Sequence, residues 1–129
     1  MRLSSTFAFA AIMLCASSGA LACQHARPVV AIQYVLNEQV PERVEAMITN
    51  PVEKLLSDVP RLTEMNSNTS HGVANFELQF DGGASERDLA VVKERLGGWR
   101  ADKTIDILST EVSLTTECLN NWPWSGKRA

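Results

Sequence analysis

Val73-Ala74-Asn75-Phe76-Glu77-Leu78-Gln79-Phe80 is the stretch from which the fold can be read. In an extended chain successive side chains point to opposite faces, so Ala74, Phe76, Leu78 and Phe80 share one side. Asn75, Glu77 and Gln79 share the other, which places Glu77 in solvent. A strand with one apolar face belongs to an antiparallel sheet backed by a second layer. Residues 62–71, just upstream, are polar and weakly alternating, as in an edge strand, and Gly72 marks a turn. The two segments therefore make a hairpin. Downstream, Asp81-Gly82-Gly83 turns the chain, and Ser85-Glu86-Arg87-Asp88 has the form of a capping box. Leu89, Val92 and Leu96 then fall on one helical face, and Gly97-Gly98 stops the helix.

The same pattern repeats on either side. Residues 28–36 (PVVAIQYVL) are a nearly continuous β-branched and apolar run, which predicts a central strand beginning at Pro28. From Val44 the apolar residues Met47, Ile48, Val52, Leu55, Leu56 and Val59 fall at helical spacing. Pro41 suits the first turn, whereas Pro51 lies in mid-stripe and predicts a kink with one backbone bond lost. The last strand covers about 104–116. Its apolar parity shifts from Ile105 and Ile107 to Leu108, Val112 and Leu114, which predicts a bulge near Leu108. The order β-α-β-β-α-β specifies an α+β fold, a ferredoxin-like split β-α-β sandwich. It has a four-stranded antiparallel sheet, strand order 4-1-3-2, with two helices on one face.

Composition narrows the function classes. Of the 129 residues, 45% are apolar and 21% charged, an ordinary globular balance. The net charge of −3 with scattered basic residues argues against nucleic acid as a partner. No run after residue 22 approaches the ~20 apolar residues of a membrane-spanning helix.

Residues 1–22 read as a signal peptide. Arg2 supplies the positive end, Phe7 to Ala16 the apolar stretch, and Ala20-Leu21-Ala22 the small-residue cleavage pattern. The competing reading is an uncleaved anchor. Cleavage after Ala22 would leave a domain over 23–119 and a tail over 120–129. It would also make Cys23 the first mature residue, where a lipoprotein is acylated, although Ala20 stands where a lipobox usually has leucine. The expected location is the periplasm, with a membrane-anchored lipoprotein or an inner-membrane protein as alternatives. Cys15 leaves with the leader, so Cys23 and Cys118 remain as an even pair in an oxidising compartment. In the strand order above, the start of the first strand lies beside the end of the fourth. A Cys23–Cys118 disulfide would staple the two, and two unrelated thiols are the alternative.

Residues 28 to about 98 resemble the first periplasmic porter subdomain of the resistance–nodulation–division (RND) efflux transporters. The resemblance runs through Pro28-Val29-Val30-Ala31-Ile32 and Val44-Glu45-Ala46-Met47-Ile48-Thr49-Asn50-Pro51-Val52. It continues through Pro60-Arg61-Leu62-Thr63-Glu64-Met65-Asn66-Ser67 and Phe76-Glu77-Leu78-Gln79-Phe80-Asp81-Gly82-Gly83. It implies a binding surface along a transport path, without bond-making chemistry, and RND pump or other efflux components as partners. It leaves a homo-oligomer open. The membrane part of such pumps, with its proton relay, has no counterpart here, so the chain is not expected to transport alone. A detached module and a truncated, non-functional pump remnant both fit.

The remaining candidates are weaker. After cleavage the chain would begin Cys23-Gln24-His25, and a third-position imidazole can complete a square-planar Cu(II) or Ni(II) site. The alternative is an ordinary exposed histidine. His71 falls in the hairpin turn, Met47 and Met65 read as core filler, and no cofactor is expected. Trp122 and Trp124 read as a contact patch, a membrane-interface anchor or packing of the tail on the sheet. Small hydrolases of the acylphosphatase kind share the fold, but they need an arginine in the loop after strand one. Residues Asn37 to Pro41 contain none.

Overall fold

The computed structural model describes residues 24–118. The leader, the cleavage residues Ala20 and Ala22, Cys23 and the tail tryptophans lie outside the described residues. Four strands form one antiparallel sheet in the order β2-β3-β1-β4. They are β1 (Gln24–Leu36), β2 (Leu62–Ser70), β3 (Val73–Phe80) and β4 (Ile107–Glu117). This is the α+β split β-α-β arrangement expected from the sequence.

The helical segment after β1 runs on through α1 (Pro41–Val44), a π-helical turn (Glu45–Thr49) and α2 (Asn50–Leu56). The irregularity expected at Pro51 lies just upstream of it. Pro51 has no N–H, and its ring crowds the carbonyl four residues back. The preceding turn widens, and the Asn50 N–H donates to the Glu45 carbonyl five residues away. The second helix, α3 (Glu86–Gly97), begins with a full capping box between Ser85 and Asp88. Thr49 meets Thr69 at 2.7 Å, and the Ser67 hydroxyl donates to Glu53, which puts the first helix over β2. Ile32, Tyr34, Phe76 and Leu78 from the sheet pack with Ile48, Val52, Leu56 and Val92 from the helices in one core.

Two strand boundaries differ from expectation. β1 starts at Gln24 rather than Pro28, and its register against β4 shifts between Gln24 and Val29. Pro28 cannot donate to the ladder, so the strand continues past it only through that irregularity. β4 starts at Ile107. Opposite it, Val35 pairs with Ser109 and Leu36 with Ile107, so Leu108 is the extra residue. The bulge falls where expected, but Leu108 does not share the inward face of Val112 and Leu114: as the extra residue it is turned out and 64% exposed. Among the described residues, no helix is long and apolar enough to cross a membrane.

Candidate functional site

Both helices pack on one face of the sheet, so the sites fall where that packing stops. Two clefts result.

The first is polar. It lies at the end of the sheet where β1 begins and β3 ends, with a volume of about 320 Å3. His25, Arg27, Thr63, Asp81, Gly82 and Gly83 line it. Gly83 has φ +94°, and a Cβ there would come within 3.0 Å of the Arg27 side chain, so only glycine fits this wall. Arg61 braces the same corner from a left-handed backbone, with φ 68°. Its Nη1 donates to both carboxylate oxygens of buried Asp88 at 3.1 and 2.9 Å, and its Nη2 donates to the Asp81 carbonyl. The arginine therefore ties the start of β2 to the N-terminus of α3, and its guanidinium is spent on structure.

Next to this cleft the structure corrects two expectations. Glu77 is not in solvent but 4% exposed, and His25, read as an ordinary exposed histidine, keeps only 21% of its side chain exposed. His25 Nε2 lies 2.8 Å from Glu77 Oε1, close enough for an ion pair but not aligned as a hydrogen bond. Gln33 at 4% and Asn75 at 7% exposure share the Glu77 face of the sheet, beside Ala31 at 0%. Alternation told the two faces apart but not how deeply each is covered. The square-planar site considered at His25 would need the backbone nitrogens of Gln24 and His25, both within β1. Among the described residues no cluster of three or more metal-ligating side chains forms.

The second cleft is apolar and lies on the helix face. α3 packs against β4 without covering all of it, leaving Ile107, Val112 and Leu114 half-buried. The resulting groove has a volume of about 350 Å3, within the usual range of small-molecule sites. Tyr34, Leu96, Trp99 and Val112 form its apolar wall, and its two charged residues, Lys93 and Arg100, are cations. Trp99 packs edge-on to Tyr34, with ring centroids 6.0 Å apart, and Tyr34 meets Phe76 the same way at 6.3 Å. Burial pushes the Tyr34 hydroxyl up to about 12, so this wall stays neutral at ordinary pH. Arg100 Nη1 donates to the carbonyls of Gly97 and Trp99, both at 2.9 Å, which seats the cation at the C-terminal end of α3.

This groove was not found by sequence reasoning. Trp99 and Arg100 directly follow the Gly97-Gly98 helix stop, where a chain normally turns into a loop. The available signal was a tryptophan immediately beyond a helix C-cap, in a chain whose only tyrosine sits in a buried strand.

The other singled-out residues stay apart. His71 is exposed in the hairpin turn, with Nδ1 3.0 Å from the Gln39 carbonyl. Met47 and Met65 pack against the core as expected. The arginine nearest the loop after β1 is Arg43, and its Nε donates to Glu38 at 2.9 Å. Cys118, just past β4, is a disulfide cysteine. Gln24 is the register partner of Glu117, one residue before it. The chain matches no protein-family model and no curated protein.

Proposed function

We propose that the chain is an exported, stand-alone binding module that serves a transport process without transporting alone. The observation that carries this reading is the apolar groove beside Trp99, a concave site of ligand size between α3 and β4. The sequence resemblance to RND porter subdomains supplies the context, because in those transporters this unit lines a substrate path. Fold likeness does not assign an activity, so the reading rests on the groove and the resemblance together.

A maintained module is favoured over a truncated remnant by the local order of the chain. The capping box at Ser85, the φ-positive turn at Gly82-Gly83 and the bulge at Leu108 each agree with the global fold. A Cys23–Cys118 bridge belongs to the same proposal, since the Gln24–Glu117 register sets their neighbours side by side.

Deleting the gene and affinity-purifying the tagged protein from crosslinked cells tests this reading. The expected result is increased sensitivity to toxic amphiphiles and recovery of an efflux component. Unchanged sensitivity together with no efflux component would overturn it.

A further inference from the structure

The charge of the groove narrows what it can hold. Its floor and walls are Tyr34, Leu96, Trp99, Ile107 and Val112, while the charged residues that line it are Lys93 and Arg100. Both are exposed, and both are positive although the whole chain carries a net charge of −3. The C-terminal end of α3 opposes an anion with a partial charge of about −0.5, which two full positive charges outweigh. Arg100 is fixed by its bonds to the Gly97 and Trp99 carbonyls, so less side-chain freedom is lost when it meets a ligand. The aromatic wall cannot supply a counter-charge to a cation, because Tyr34 remains protonated until about pH 12.

We propose that the groove between α3 and β4 binds an amphipathic anion. An apolar chain or ring lies against Trp99, Ile107 and Val112, and its acid group faces Lys93 and Arg100. This inference rests on the binding-module reading and gives it a ligand class. Neutral amphiphiles occupy the same walls more weakly, and cationic ones are repelled.

Calorimetric titration of the full mature chain with decanoate, decanol and decyltrimethylammonium, each below its micelle concentration, tests the charge preference. Decanoate is expected to bind roughly tenfold more tightly than decanol, with decyltrimethylammonium weakest. The double variant Lys93→Gln/Arg100→Gln should abolish the preference for decanoate while retaining decanol binding, which also shows that the variant is folded. Equal binding of all three probes overturns the anion assignment and leaves the groove as a site. Binding of none overturns the groove itself, whatever the efflux experiment shows. A preference for decanoate that survives the double variant places the anion elsewhere and overturns the proposal.

Discussion

Phe76 and Glu77 are consecutive residues of β3, and they enter opposite faces of the same sheet. Phe76 is fully buried in a core shared with both helices. Glu77 is almost as buried, on the face away from those helices, with His25 beside it. The helix face buries hydrocarbon against hydrocarbon, which gains stability with every apolar atom taken out of water. The Glu77 face buries Gln33, Asn75 and a carboxylate, which cost stability unless they are partnered. Gln33 and Glu77 do have partners, whereas Asn75 Oδ1 is buried with none among the described residues. Depth of burial is thus a poor guide to what a face contributes. Stability comes mainly from the helix side, and the other side holds conditional interactions.

The largest effect should come from the helix side. Phe76→Ala should lower unfolding free energy by about 3–5 kcal/mol in urea denaturation, because the cavity is walled by both helices. A loss under 1 kcal/mol would mean the core is not shared as described. The proposed Cys23–Cys118 disulfide is next. Reduction should cost about 2–4 kcal/mol, and intact mass should rise by two hydrogens. An unchanged mass would remove the Cys23–Cys118 proposal.

Tyr34 gives a pH-dependent test of the helix side. Burial holds its folded pKa at about 12, above the ordinary tyrosine value of 10.0. The folded state therefore holds the proton more tightly. The corresponding stability is fully present below pH 10 and is lost as pH rises through 12. The slope in that window is up to about 1.4 kcal/mol per pH unit. Since the chain has one tyrosine, tyrosinate absorbance reads this group alone. A midpoint near 10 would place the ring in water, and Tyr34→Phe should remove its share of the alkaline loss.

The smallest effects should come from the Glu77 face. His25→Ala should cost about 1–3 kcal/mol, because it leaves a buried carboxylate without its close contact. Glu111→Ala, at an exposed position of β4 on the same face, should stay within about 0.5 kcal/mol. Equal losses at the two positions would show that Glu77 does not depend on His25.

These contrasts also explain what the sequence could disclose. Strand β3, the Ser85 capping box and the Leu108 bulge were legible because each is a local pattern with one geometric reading. The start of β1 was not, because Pro28 is a common strand opener and the register shift that carries the strand past it depends on β4. The π turn was legible only as trouble near Pro51, since how a helix absorbs a missing N–H is set by packing. The burial of Glu77 and the groove at Trp99 were hidden for a shared reason. The groove depends on how far α3 extends over β4, and the burial of Glu77 on what lies against its face, and periodicity carries no information about either.

The central claim is that ligand occupies the apolar groove on the helix face rather than the polar cleft near His25. Backbone amide shifts on titration with decanoate test it most directly. The largest changes are expected at Tyr34, Leu96, Trp99 and Val112. Changes centred on His25, Arg27, Gly82 and Gly83 would contradict it.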